Sequence, residues 1–192
     1  MQSYSAYFVR YSSIKKATEF FGKKVEILPN SSWVLCGFEP DDELPNEEIL
    51  SGEVSLTEAK SRELGEIFFV YGDTSADWFV YEHAQDGRLL RKLVWFTLPD
   101  DEWNAGWVLV EGEPEAWEAA LFRPDGLERY LENEGQRLKD EGRVDEVAAM
   151  ESEIRQLWNL KQITVGKTLP FCDGTVALLV EKSYGISRTG QP

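Results

Sequence analysis

EIFFVYGDTSADWFVYEHAQDGRLLRKLVWF, residues Glu66 to Phe96, is the densest apolar and aromatic stretch of the chain, and it carries its own turn chemistry. Asp86-Gly87 separates two apolar runs. An Asp-Gly pair suits a two-residue type I′ hairpin loop, because both central positions need a positive φ that Gly accepts freely and Asp tolerates. A loop of that length fixes the pairing. Gln85 then faces Arg88, Glu82 faces Arg91, Tyr81 faces Lys92, Val80 faces Leu93 and Trp78 faces Trp95. A carboxylate sits opposite a guanidinium and one indole opposite another, both favourable cross-strand neighbours. One face of this ribbon carries Trp78, Val80, Leu93 and Trp95, and the other Phe79, Tyr81, Val94 and Phe96. A ribbon that is apolar on both faces belongs in the middle of a covered sheet. Ile67 to Tyr71 adds a third strand through Gly72 to Ala76. The expected class is α+β, with a central antiparallel meander (66–71, 77–84 and 88–96) covered by helices that include a C-terminal amphipathic pair.

Outward from this centre the punctuation is regular. Tyr4 to Tyr11 reads as a strand, with Tyr7 and Val9 on one face and Phe8 on the other. Ser12 or Ser13 caps a short helix to Phe21, stopped by Gly22. Val25 to Leu28 and Trp33 to Phe38 are two further strands, split by Pro29-Asn30-Ser31-Ser32. Glu39 to Gly52 is a polar loop, after which Ser55 and Glu58 form a capping box for a helix to about Leu64. Beyond Phe96, turn signals in TLPDDEWNAG lead to a short strand from Trp107 to Val110 and a helical turn around Trp117. Leu127, Tyr130, Leu131 and Leu138 form one helical stripe, and Val144, Val147, Ala148, Ile154, Leu157 and Trp158 a second, divided by Gly142. Val176 to Tyr184 fits both a helix and a strand, and the helix is taken as the expectation. Residues 1–184 are expected to form one domain and 185–192 a flexible tail.

At 192 residues, 42% of them hydrophobic and 12% aromatic, the chain has the composition of a folded domain. A chain this long buries about 70% of its unfolded surface, enough for a core without metal or disulfide staples. Cys36 and Cys172, far apart in apolar sequence, are expected to be reduced, buried thiols of a cytoplasmic protein. The N-terminus has no basic segment followed by an apolar one, which predicts no signal peptide. Val176 to Val180, the longest aliphatic run, is too short for a membrane span.

The net charge of −15 is concentrated. Glu39 to Glu63 holds nine acids and two bases, Thr97 to Glu118 seven acids and no base, and together they carry −14. Such a field repels nucleic acid and anionic membranes and attracts cationic partners. Within the second stretch, DDEWNAGWVLVEGEPEAWE, Trp103, Trp107 and Trp117 lie among carboxylates. An exposed indole among acids can meet Lys or Arg by cation–π contact and charge pairing at once. Trp107, before Val108-Leu109-Val110, reads as core; Trp103, in a turn-rich segment, is the candidate for exposure. The partner-binding candidates are therefore Asp41, Asp42, Glu43, Asp100, Asp101, Glu102, Trp103, Glu111 and Glu113.

Motifs for chemistry are absent from the sequence. There is no Gly-x-Ser-x-Gly elbow, phosphate-binding glycine loop, Cys-x-x-Cys pair or His-Glu-x-x-His, and no cofactor is expected. The single histidine, His83, reads as a strand-end residue that packs or faces water. Asp41-Asp42-Glu43 and Asp100-Asp101-Glu102 offer oxygens for Ca²⁺ but lack ligand spacing like that of an EF-hand loop, so no metal is expected either.

Three functions follow. The first is a non-enzymatic module that binds a basic protein surface; in its acidic, compact character the chain resembles the immunity proteins of bacterial toxin systems, which implies an inhibitor-like role against a basic partner. The second is a small-molecule binder or hydrolase, which needs two of Glu82, His83, Asp73, Asp77, Asp100 and Asp101 to converge in a pocket. The third is a mimic of DNA charge, which needs the two acidic segments to meet in space.

Overall fold

The computed structural model describes residues 3–22, 25–37, 47–98 and 101–187, excepting the side chains of 47, 50 and 101–104. Seven strands form one antiparallel sheet: β1 (Ser3–Arg10), β2 (Val25–Ile27), β3 (Trp33–Cys36), β4 (Glu66–Asp73), β5 (Trp78–Gln85), β6 (Arg88–Leu98) and β7 (Asp101–Gly112). Their spatial order is β2-β3-β1-β4-β5-β6-β7, so the expected meander is present and gains β7 as an outer strand. Six helices surround the sheet: α1 (Ile14–Phe21), α2 (Glu47–Ser51), α3 (Glu58–Leu64), α4 (Pro124–Asp140), α5 (Val147–Leu160) and α6 (Val176–Ser183). None of the described helices is long and apolar enough to cross a membrane.

The hairpin loop forms where the sequence puts it, with Asp86 at φ +50° and Gly87 at φ +83°, and Gln85 pairs with Arg88. The register beyond it is not the expected one. Leu90 is an extra residue between the pairs Ala84–Leu89 and His83–Arg91, so Glu82 meets Lys92, Tyr81 meets Leu93, Val80 meets Val94 and Phe79 meets Trp95. Such a bulge turns every later side chain of one strand to the opposite face relative to its partner. Its cause lies on the third strand: the Leu90 carbonyl accepts the Glu113 N–H at 3.2 Å, beside Gly112 at φ +79°. A Cβ on Gly112 would stand 1.9 Å from that oxygen, so only glycine permits the approach.

The shifted register sorts the core. Phe79, Tyr81, Leu93 and Trp95 join Phe8, Trp33, Phe68 and Trp107 on one face, covered by α6 and the 3₁₀ turn Ala116–Leu121. Val80 and Val94 join Phe69, Tyr71 and Ile49 on the other, with Trp78 packed at a tilt against Phe96, ring centroids 4.4 Å apart, rather than opposite Trp95. Buried aromatic side chains of this kind contribute about 1.5–3 kcal/mol each by area removed from water. At the far edge α1 and α3 cover Val9, Val34 and Ile67.

Ser55 Oγ accepts the Glu58 N–H at 2.9 Å, as its spacing from Glu58 predicts, and the helix proper opens at Glu58. The strand expected at Trp107–Val110 is longer, running from Asp101 to Gly112, so Trp103 lies in a strand backbone and not in a turn. The helical pair α4–α5 forms a cluster of Leu127, Leu131 and Ile154, which reaches the main core through Trp158 against Phe122 at 5.2 Å. Val176 to Ser183 is helical. Ile186 is 5% exposed and its N–H donates to the Glu181 carbonyl, while the rest of the expected tail from 188 onward lies outside the described residues.

Candidate functional site

Alternation along β5 sends neighbouring residues to opposite faces. Glu82 and His83, adjacent in sequence, therefore build two separate polar clusters and do not converge. Glu82 is fully buried, and its Oε1 accepts Ser55 Oγ at 2.5 Å, the Thr57 N–H at 2.7 Å and Thr57 Oγ1 at 2.7 Å. Lys92, 1% exposed, places its ammonium 3.6 Å from Glu82 Oε2 and donates to the Val54 carbonyl at 2.6 Å. This cluster anchors the segment before α3 to the sheet.

His83 sits on the other face, 6% exposed. Its Nδ1 lies 2.5 Å from Glu115 Oε1. The Glu115 carboxylate also accepts Tyr81 Oη at 2.6 Å, Tyr184 Oη at 2.8 Å and Trp117 Nε1 at 2.9 Å. On the opposite side of the ring, Nε2 stands 3.3 Å from Glu66 Oε1, within ion-pair reach but outside hydrogen-bond geometry. Glu66 is in turn gripped by Arg10 at 2.6 and 3.2 Å, whose guanidinium lies 4.2 Å over the Trp33 ring. Burial opposes ionisation of Glu115, but hydrogen bonds from His83, Tyr81 and Tyr184 outweigh it and hold the carboxyl below its ordinary range. Burial, then the Glu115 charge, pushes both phenols upward, so they remain donors. Of the two alternatives the sequence left for His83, it is packed, among Phe68, Tyr81 and Tyr184, and does not face water; it also stands between two carboxylates. Neither the recess between α1 and α3, lined by Lys16, Phe20 and Arg62, nor that lined by Tyr130, Trp158 and Pro170 includes His83 or its partners.

One carboxylate further on, Glu118 receives Arg91 in a two-pronged ion pair at 2.8 and 2.6 Å, both side chains about 3% exposed. Glu115 and Glu118 also close a capping box on the 3₁₀ turn. Two of the seven acids of the base-free stretch thus turn inward, and they take their partners from β5 and β6.

Glu111 and Glu113, by contrast, are exposed at an edge. β7 is the outermost strand, and α2 packs on it through Ile49, which is 2% exposed beside Val108 and Leu109. A Cβ on Gly52 would lie 3.3 Å from Leu109 Cδ2 and 3.5 Å from Glu111 Oε1. The two acidic segments meet there, with Glu48 and Glu53 exposed from the first and Glu111 and Glu113 exposed from the second. Of the other candidates, Asp41, Asp42, Glu43 and Asp100 lie outside the described residues; Asp101, Glu102 and Trp103 are in the β7 backbone, and their side chains are not described. Trp107 is fully buried, with Nε1 donating to the Pro170 carbonyl at 3.0 Å, and Trp117 is 5% exposed. Both belong to the core.

Cys36 and Cys172 are free and buried in different clusters; burial pushes the Cys36 thiol up to about 12 and raises that of Cys172 as well. Among the described residues no three His, Cys, Asp or Glu side chains are grouped to hold a metal ion. No protein-family model matches the chain, and no curated protein and no solved structure is significantly similar to it.

Proposed function

We propose that the chain is a non-enzymatic interaction domain whose acidic edge, built from α2 and β7, docks a basic protein surface in the manner of an inhibitor. The observation that carries this reading is the meeting of the two acidic segments at Gly52, Leu109 and Glu111. Segments separated by some sixty residues combine into one field, and two bases on this side of the sheet are committed, Lys92 to Glu82 and Val54 and Lys60 to the Leu56 carbonyl and the Tyr7 ring. Fields of one sign raise the encounter rate with an oppositely charged partner and weaken as salt screens them. The hydrolase reading has less behind it: Glu82 and His83 occupy opposite faces, Asp73 is engaged with Ser75 and Ala76 in its own turn, and Asp100 and the Asp101 side chain lie outside the described residues.

The test is a pull-down from the protein's own cell extract at low and at high salt, with a Glu48→Gln/Glu53→Gln/Glu111→Gln/Glu113→Gln variant alongside. A basic protein retained at low salt, released by salt and lost with the variant is the expected result. A partner retained equally by the variant would place the docking surface elsewhere. Displacement of that partner by duplex DNA would identify a DNA-binding protein and favour the charge mimic.

A further inference from the structure

We propose that His83 is a proton-operated latch that ties the end of the central hairpin to the 3₁₀ turn at Glu115 and to the chain following α6 at Tyr184. The inference stands apart from the docking reading, because it concerns the opposite face of the sheet and needs no partner.

The groups around the ring come from six places. The 3₁₀ turn contributes Glu115, at 2.5 Å from Nδ1. β4 contributes Glu66, at 3.3 Å from Nε2, and β1 contributes Arg10, which grips Glu66 from behind. Tyr184, after α6, puts its hydroxyl 3.4 Å from Nδ1 and 2.8 Å from Glu115 Oε2, and Tyr81 of β5 joins the same carboxylate. Arg91 of β6 is the cross-strand neighbour of His83, but its guanidinium is committed to Glu118 and to the carbonyls of Glu111 and Gly112.

Two acceptors therefore flank one ring. The imidazolium has an N–H for each of them. The neutral ring has one N–H to share. Kept on Nδ1, it satisfies Glu115 and turns the Nε2 lone pair toward a carboxylate oxygen. Kept on Nε2, it turns toward Glu66 outside hydrogen-bond geometry and sets a lone pair against Glu115 at the shorter of the two distances. Loss of the proton thus ends the attraction to one carboxylate and sets a lone pair against it, and the segment that carries that carboxylate takes the strain. Glu115 is the N-terminal cap of the 3₁₀ turn and the hub for Tyr81, Trp117 and Tyr184, so the break is felt in elements that are not adjacent in sequence.

Because the chain has one histidine, its ring signals are unambiguous in nitrogen-15 NMR of the whole protein across about pH 5–8. The expected result is that the amides of Glu66, Glu115, Trp117 and Tyr184 shift together with the ring nitrogens on one shared midpoint. In Glu66→Gln the side-chain amide can donate to a neutral Nε2, so the shifts at Glu115, Trp117 and Tyr184 should be lost while the spectrum stays dispersed. Tyr184→Phe, which keeps the ring stacked on Phe68, should uncouple residues 184–186 and leave Glu115 following the ring. A ring that titrates while those amides stand still overturns the latch. So does a ring fixed in one state over the whole range, or a response undiminished in Glu66→Gln.

Discussion

Glu115 and Glu82 show two ways for this chain to keep a carboxylate inside. Glu82 is fully enclosed and balanced by a lysine and three donors, whereas Glu115 gathers four donors around a partly covered head group. Hydrogen bonding to the charged form of a carboxylate stabilises the fold, because the unfolded chain offers no such set. For Glu115 the sign follows from its lowered folded value. Its contribution is complete above the ordinary carboxylate range and fades as pH falls through the folded value. Glu115→Gln is therefore expected to lower stability at neutral pH and to flatten the acid limb of the stability curve, measured by urea denaturation at a series of pH values. An unchanged acid limb would remove Glu115 from its place as the hub.

Between elements, the decisive event is the bulge at Leu90, which a glycine on β7 makes possible. Gly112→Ala brings a methyl group against the Leu90 carbonyl at a positive φ, and strain of both kinds costs more than about 1 kcal/mol. Chemical denaturation should show that loss, and a neutral effect would mean that β6 and β7 can part there without consequence. The same bulge marks the limit of what sequence could say. The Asp86-Gly87 loop, the helix stopped by Gly22, the Ser55–Glu58 contact and the strand at Tyr4 are local signals and were legible. The register beyond Ala84 depends on Glu113 reaching back to Leu90, and no feature near Leu90 announces it. The candidate site divides in the same way. Exposed acids such as Glu111 and Glu113 could be read from the charge pattern, but His83 finds its partners at 66, 115 and 184, which only the folded sheet brings together. One clue was available: seven acids without a base, two of them spaced as a Glu-x-x-Glu cap, must find counter-charges elsewhere, and His83 and Arg91 are polar residues in an apolar hairpin.

For the whole molecule, a net charge of −15 works against the compact state by self-repulsion. Raising the ionic strength from about 0.01 to 0.15 M shortens the Debye length from roughly 30 to 8 Å. The melting temperature should therefore rise over that range. A fall would mean that the surface ion pairs of α4 and α5, Arg137 with Glu134 and Arg155 with Glu128, matter more than that repulsion. Closure of the molecule also has a place in time. Tyr4 donates its hydroxyl to Glu181 Oε1 at 2.7 Å across 177 residues of chain. At a synthesis rate of roughly 5–20 residues per second, Tyr4 is made roughly 9–35 s before its acceptor. Through that interval the apolar face of β1 waits without the helix that will cover it, so a newly made chain depends on whatever shields that face until α6 leaves the ribosome.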